Sequence, residues 1–118
     1  MGQFLNGKMH GYGEFYWSDG KKYVGNYQED QKNGFGVFFW SINPVKVFIG
    51  SWKDGVQNGL GLILTPSKIC YGLWNKAKKV LSFKGLWDMK RYAKENNLKY
   101  NSVFEKNPKD VLNFCENI

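Results

Sequence analysis

Residues Tyr23 to Gly36 read YVGNYQEDQKNGFG, and their glycines and aromatic residues recur elsewhere in the chain at nearly fixed offsets. The pattern is a glycine followed two positions later by an aromatic residue, then six further residues, then two glycines separated by one residue. Three copies fit it: Gly25, Tyr27, Gly34 and Gly36; twenty-five residues later, Gly50, Trp52, Gly59 and Gly61; and twenty-three residues earlier, Gly2, Phe4, Gly11 and Gly13. A period in the twenties is typical of a stacked repeat architecture.

Each copy is predicted to form a β-hairpin, because short aromatic-rich segments such as 36–40 and 48–52 flank the paired glycines. The residues just before these pairs, His10, Asn33 and Asn58, are of types that tolerate a positive φ. The sequence therefore predicts turns at residues 9–11, 32–34 and 57–59. Hairpins that pair in chain order would give an all-antiparallel meander.

The pattern weakens toward the C-terminus. Segments 71–74 and 84–87 keep a glycine followed two positions later by Trp but lack the paired glycines, which predicts a last, shortened hairpin that turns within 75–79. None of the 14 glycines lies beyond Gly85. We therefore expect a repeat sheet over residues 1–87 and a helical extension over 88–118, with Asn107 and Pro108 beginning the second of two short helices.

With the glycines and aromatic residues placed, residues 2–87 resemble the MORN (membrane occupation and recognition nexus) repeat family, whose pattern is an aromatic residue, then G-x-W, then G-x-G. The resemblance implies a mainly β fold, a single-layer antiparallel sheet of stacked hairpins with an aromatic-lined groove, here followed by a short α-helical tail. It also implies scaffolding, since members occur in cilia and flagella, membrane junctions and protist cytoskeletons, and as accessory regions of lipid kinases and a histone methyltransferase. Nothing from the family transfers to residues 88–118.

The aromatic residues predict a recognition surface, because alternation along the strands should gather many of them on one face. The expected partner-binding residues are Phe15, Trp17, Tyr27, Phe38, Trp40, Trp52, Trp74 and Trp87. We expect this groove to bind a peptide or helix from a protein subunit of a larger assembly, in a cilium, an axoneme or the cytoskeleton.

A second apolar stripe alternates away from that groove and consists of Tyr16, Val37, Phe39, Leu60, Leu62 and Leu64. A one-layer sheet cannot leave both faces bare, since a large exposed apolar patch calls for a covering element or a partner. We expect the tail either to cap the open end of its own stack or to dock on a neighbouring subunit. The expected contact residues are Tyr92, Phe104, Val111, Leu112 and Cys115.

The net charge of +7 is concentrated in the C-terminal half, where residues 62–118 carry eleven Lys and Arg against five acidic residues. Residues 68–99 alone hold nine bases and two acids. The alternative function is therefore a membrane-surface tether, in which this segment binds anionic phospholipid. The candidate residues for an anionic surface are Lys76, Lys78, Lys79, Lys84, Lys90 and Arg91. A solvated basic surface explains the same cluster equally well.

Catalysis is not expected, because the chain has one histidine and no acid pair at a telling spacing. Cys70 and Cys115 are predicted to be free thiols, and His and Cys do not occur at metal-ligand spacing. We therefore expect no cofactor, no metal and no small-molecule substrate, and we disfavour nucleic acid because no RRM or OB signature appears. Without a signal peptide or an apolar run of membrane-spanning length, the expected location is intracellular.

Overall fold

The computed structural model of the chain describes residues 2–116, with side chains as far as Asn113. Eight strands come first: β1 (Gly2–Leu5), β2 (Lys8–Tyr16), β3 (Lys22–Gln28), β4 (Gln31–Ile42), β5 (Val45–Lys53), β6 (Val56–Leu64), β7 (Ile69–Asn75) and β8 (Lys78–Phe83). They form a single open sheet in chain order, and every neighbouring pair is antiparallel. The predicted meander of hairpins with a short helical tail is confirmed.

Each repeat turns at a two-residue corner, which in the first three repeats precedes the paired glycines. The corner residues are Asn6-Gly7, Glu29-Asp30, Asp54-Gly55 and Lys76-Ala77, and all eight have positive φ. Two successive positive φ values are characteristic of the type I′ turn, whose twist matches that of the flanking strands. The predicted turns at 9–11, 32–34 and 57–59 are therefore wrong, whereas the corner within 75–79 is confirmed.

The paired glycines instead mark a bulge inside the second strand of each hairpin. Gly25 pairs with Gly36 and Tyr27 with Lys32, so two residues of β3 span the same length as four residues of β4. Gly34 lies in this bulge with a φ of 93°, a left-handed value that favours glycine. Gly11 and Gly59 take the same region, with φ of 84° and 111°. His10, Asn33 and Asn58 are not among the positive-φ residues, so the role expected for them belongs to the glycines that follow.

Helix α1 (Leu86–Glu95) begins directly after the sheet, with Gly85 as its N-cap. The G-x-W strand expected at 84–87 is therefore wrong: β8 ends at Phe83, and Trp87 lies on the helix. A short 3₁₀ helix (Ser102–Glu105) and α2 (Pro108–Glu116) follow. The Asn107 side chain accepts a hydrogen bond from the Lys109 N–H at 3.0 Å, which confirms Asn107 as the cap and Pro108 as the first residue of α2.

The tail folds back over one face of its own sheet, which we call the covered face. On that face the buried residues are Val24, Val37, Phe39, Val47, Ile49, Leu60 and Leu62, and the tail adds Met89, Ala93, Phe104 and Leu112 to the same core. The Tyr92 ring contacts the Phe83 ring at a tilt, with centroids 5.3 Å apart, and Val111 packs against the core from its edge. The tail thus lies across a face rather than only at the end of the stack. The expected contact through the Cys115 side chain lies outside the described residues.

One member of the second stripe differs from expectation. Leu64 packs against the covered core, but Tyr16 remains 58% exposed, beyond the area that the tail covers. The Lys22 ammonium lies 5.3 Å from the Tyr16 ring centroid and equally far from that of Phe39. Tyr16 is therefore an exposed ring that contacts a lysine rather than the tail. Cys70 is a half-buried free thiol, as predicted.

Candidate functional site

The face opposite the tail is lined by aromatic rings, and we call it the aromatic face. Its buried floor consists of Tyr23, Tyr27, Phe48, Trp52 and Trp74, and the partly buried residues around that floor are Met9, Trp17, Phe38, Trp40 and Ile63. The floor rings meet edge to face, with centroids 5.2 Å apart for Tyr23 and Tyr27 and 4.8 Å apart for Phe48 and Trp74. Such T-shaped contacts suit the charge distribution of aromatic rings, so the floor is held by specific geometry as well as by burial.

Glycine pairs make room for these rings. Gly25 faces Gly36 across β3 and β4, Gly50 faces Gly61 across β5 and β6, and a Cβ added at Gly36 would overlap the Tyr23 side chain. The rings of Tyr23 and Phe48 therefore lie flat over backbone that carries no side chain. This arrangement is known to compensate for glycine in sheets. The ring stands two residues before the first glycine of each pair on the same strand.

Two polar groups of the floor find backbone partners. The Tyr23 hydroxyl donates to the Asn26 carbonyl at 3.0 Å, and the Trp52 indole N–H donates to the Gly36 carbonyl at 3.3 Å. Burial raises the pKa of Tyr23, and burial raises the pKa of Tyr27 to about 12. Both phenols are therefore neutral at physiological pH, and the floor presents no negative charge.

Seven of the eight predicted partner-binding residues belong to the aromatic face, but they divide into two groups. Tyr27, Trp52 and Trp74 are each exposed by less than a tenth and serve as floor. Phe15 is 44% exposed and begins a row of rings that continues through Trp17 and Phe38 to Trp40. The centroids of successive rings in this row lie 4.6, 5.6 and 5.5 Å apart. This accessible row is the part of the face that another molecule can touch.

The eighth residue, Trp87, does not belong to this surface. It is 78% exposed on α1, which packs against the covered face through Met89 and Ala93. The motif that suggested a strand at this point is the same G-x-W as in the repeats, but here the glycine caps a helix.

The predicted basic residues also divide into two groups. Lys76, Lys78 and Lys79 are exposed at the tip of the β7–β8 hairpin, and Lys84 is exposed after β8. Lys90 and Arg91 lie on α1, where they pair with Glu105 and Asp88, each at 3.2 Å. Among the described side chains, Lys76, Lys78, Lys79 and Lys84 form no ion pair, and three of these four lysines lie at the hairpin tip.

Lys32 was not predicted as a site residue, although it stands within the aromatic face. Its ammonium nitrogen lies 5.2 Å from the Trp17 ring centroid and 5.4 Å from that of Trp52. Burial lowers its pKa. The repeat spacing marks this position in the sequence. Met9, Lys32 and Gln57 each lie seven residues after the first glycine of their copy.

The geometry and the repeat pattern agree with a match to a known family. The family model described as "MORN repeat" matches residues 1–22, 23–43 and 48–67, more than half of the 118 residues. The chain belongs to the MORN repeat family. MORN repeats are generally modules for interaction with proteins or membranes.

Among curated proteins, the MORN chain is similar to alsin. Alsin from Rattus norvegicus, from Mus musculus and from Homo sapiens is in each case 34% identical to it over 64 residues, which cover 52% of this chain and 4% of alsin. The similarity therefore concerns a small part of alsin. Within residues 2–116, no helix is long and apolar enough to cross a membrane, and the described side chains include no cluster of three or more His, Cys, Asp or Glu that could hold a metal ion.

Proposed function

We propose that this MORN protein is a non-catalytic scaffold whose aromatic face binds a peptide or helix of a protein in a larger assembly. The observation that carries the proposal is the asymmetry of the sheet. The tail covers one face, while the other keeps an accessible row of rings formed by Phe15, Trp17, Phe38 and Trp40. A contiguous apolar surface of this kind is typical of a binding site.

The construction of the face supports tight binding. Aromatic anchors supply much of the energy of protein interfaces, and they do so best when their own positions are fixed beforehand. Trp40 meets Phe38 edge to face at 5.5 Å, and the Lys46 ammonium lies 5.2 Å from the Trp40 ring centroid. A partner segment would therefore meet rings that are already ordered.

The proposed setting is a cilium, an axoneme or another cytoskeletal assembly, because MORN proteins occur in such structures. The non-catalytic role rests on the scarcity of titratable groups at catalytic spacing in the sequence and on the family, which is an interaction module.

The experiment uses binders selected from a display library of random peptides about twelve residues long, and measures their affinity by fluorescence polarisation. Trp40→Ala should weaken binding by roughly 2 kcal/mol, or about thirtyfold. The matched control is Trp87→Ala, which removes an exposed tryptophan from the other side of the molecule and should leave affinity unchanged. Peptides that bind the folded Trp40→Ala variant as tightly as the wild type would contradict the proposal.

A second candidate function, a membrane-surface tether, is favoured by the β7–β8 hairpin. Its tip carries Lys76, Lys78 and Lys79, and the next two residues, Val80 and Leu81, are 52% and 38% exposed. Each basic side chain near an anionic bilayer contributes about 1 kcal/mol. Co-sedimentation with phosphatidylcholine vesicles, with and without phosphatidylserine, tests this candidate. Binding that requires phosphatidylserine and disappears at high salt would support it, and sedimentation that ignores both would exclude it.

A further inference from the structure

Lys32 occupies a cage of four aromatic rings on the aromatic face. Its ammonium nitrogen lies 5.2 to 5.7 Å from the ring centroids of Trp17, Trp52, Tyr23 and Phe38. Attraction of a cation to ring faces offsets part of the cost of removing it from water. It does not provide oxygen acceptors for the three N–H groups of the ammonium.

The main chain fixes where this side chain starts. Lys32 is the cross-strand partner of Tyr27, and its carbonyl accepts a hydrogen bond from the Gly55 N–H at 2.9 Å. The same bond joins the other repeats, from the Asp30 N–H to the Met9 carbonyl at 3.0 Å and from the Ala77 N–H to the Gln57 carbonyl at 2.9 Å. Lys32 is therefore held at a structural position that each hairpin repeats.

The structural position itself does not require a charge. Met9 stands opposite Phe4, Gln57 opposite Trp52, and Lys79 opposite Trp74, so an apolar and a neutral polar side chain occupy the same place in two copies. Among the ion pairs and side-chain hydrogen bonds of residues 2–113, none involves the Lys32 ammonium. A half-buried cation is thus placed at the middle of a surface built from rings, with no anionic partner among the described side chains.

We propose that Lys32 binds the carboxylate of an Asp or Glu side chain in the segment that a partner lays across the aromatic face. The proposal rests on the function proposed above and adds its selectivity. A carboxylate would give the ammonium the acceptors that the rings lack, and a charge-assisted hydrogen bond is strong where water is excluded. A phosphate group carries nearly two negative charges and is usually held by several cations or an arginine fork, whereas this cage surrounds one ammonium.

The neighbouring rings define the rest of the ligand. Trp17 and Phe38 line the cage and also belong to the accessible row, so apolar residues beside the acidic one would contact that row. The preferred segment is therefore a single acidic residue flanked by apolar side chains. A segment whose lysine or arginine met the cage would be repelled by Lys32, which gives discrimination as well as affinity.

The test selects random peptides about twelve residues long on the wild-type chain and, in parallel, on Lys32→Met. Methionine is suited to the site because Met9 occupies the equivalent position. The wild-type pool should be enriched in one Asp or Glu among apolar residues, and the Lys32→Met pool should lose that enrichment. Lys53→Met is the matched control, since Lys53 is exposed beside Trp52 and should select the same acidic motif as the wild type.

Affinities then separate the outcomes. For one selected peptide, replacing its acidic residue by the amide should weaken binding to the wild type about tenfold or more, and should have little effect on binding to Lys32→Met. The comparison of acid and amide peptides on the wild type alone does not depend on the variant being folded. Equal affinity of the two peptides for the wild type overturns the proposal.

The two proposals fail differently. Peptides that need Trp40 but show no acidic preference would overturn the role of Lys32 and leave the aromatic face as a binding site. Peptides that bind independently of both Trp40 and Lys32, or the absence of any enrichment on the wild-type chain, would contradict both.

Discussion

The ring of Phe48 on β5 lies directly against the backbone of Gly61 on β6. A Cβ built at Gly61 would stand 2.5 Å from Cζ of that ring and 2.6 Å from Cε1. Gly61 also pairs with Gly50, which stands two residues after Phe48 on β5. One ring thus closes the space above a pair of glycines, and this unit links the glycine pattern of the sequence to the aromatic floor.

Gly61→Ala should destabilise the protein by about 3 kcal/mol, because the added methyl group must displace a fully buried ring from a packed floor. The free energy of unfolding, measured by urea titration, checks this. Gly85→Ser is the control, since a Cβ there meets no atom within 4 Å and Gly85 has an extended φ of −176° at the N-cap of α1. The control should be neutral or slightly stabilising. Equal destabilisation by both substitutions would show that glycine itself, rather than the ring above it, matters.

The glycine and aromatic spacing was enough to predict the sheet, because its period reports hairpins that repeat the same packing. The position of the turns was not predicted, since a glycine with positive φ suits a bulge as well as a corner. Gly34 is such a bulge residue, whereas the actual corner is Glu29-Asp30, two acidic residues without glycine. The residue types at Glu29-Asp30 do not identify this corner. It is identified by the pairing of Gln28 with Gln31 between β3 and β4.

The candidate site was predicted in part for the same reason. Alternation along strands correctly gathered Trp17, Phe38 and Trp40 with the floor, because these residues stand in or beside repeat strands. Trp87 has the same local motif, yet it lies in the first turn of helix α1. Lys32 could not be recognised from composition, since an exposed lysine is the usual case and only its pairing with Tyr27 brings it among the rings.

Phe104→Ala should cost roughly 3 to 5 kcal/mol, as expected when a buried phenylalanine is truncated. Phe104 is 3% exposed and meets Phe35 of the covered face with ring centroids 5.7 Å apart. Asn113→Ala, at an exposed position of α2, is the control and should change stability little.

Deletion of residues 101–118 should increase dye binding and aggregation, because it uncovers the covered face of the sheet. A truncated chain that stays monomeric and binds no dye would mean that the tail is dispensable.

Stability should fall at alkaline pH, in part because of Tyr27. Its pKa is about 12 in the folded chain and about 10 in an unfolded one, so above pH 10 the unfolded state ionises first. The stabilising contribution is complete below about pH 10 and is lost as the pH rises through about 12. Tyr27→Phe should remove about 1 kcal/mol of the loss between about pH 8 and 11, measured by urea unfolding at each pH. An identical loss in Tyr27→Phe and in the wild type would contradict the prediction.

The positive charge of the β7–β8 hairpin tip should be removable without loss of the fold, because the equivalent positions of other hairpins in this chain carry neutral or acidic residues. Glu29 and Gln31 occupy in the β3–β4 hairpin the places that Lys76 and Lys78 occupy in the last one, and Gln57 corresponds in the β5–β6 hairpin to Lys79. The triple variant Lys76→Glu, Lys78→Gln and Lys79→Gln should therefore fold with nearly unchanged thermal stability. Glutamine is used at the last position because the Lys79 stem lies against Gly72, where the Trp74 ring also reaches.

If this tip is the basic site, the triple variant should associate more slowly with vesicles containing phosphatidylserine, and the dependence of its association rate on salt should be flatter. The same substitutions to Glu, Gln and Gln at Lys8, Lys53 and Lys106, three exposed lysines elsewhere, provide a control with an equal change of net charge. That control should keep most of the wild-type rate, because attraction to a surface falls off within about 10 Å at ordinary salt. Equal slowing in the two variants would mean that net charge alone governs the encounter, and unchanged kinetics in the tip variant would leave the cluster with a role in solubility.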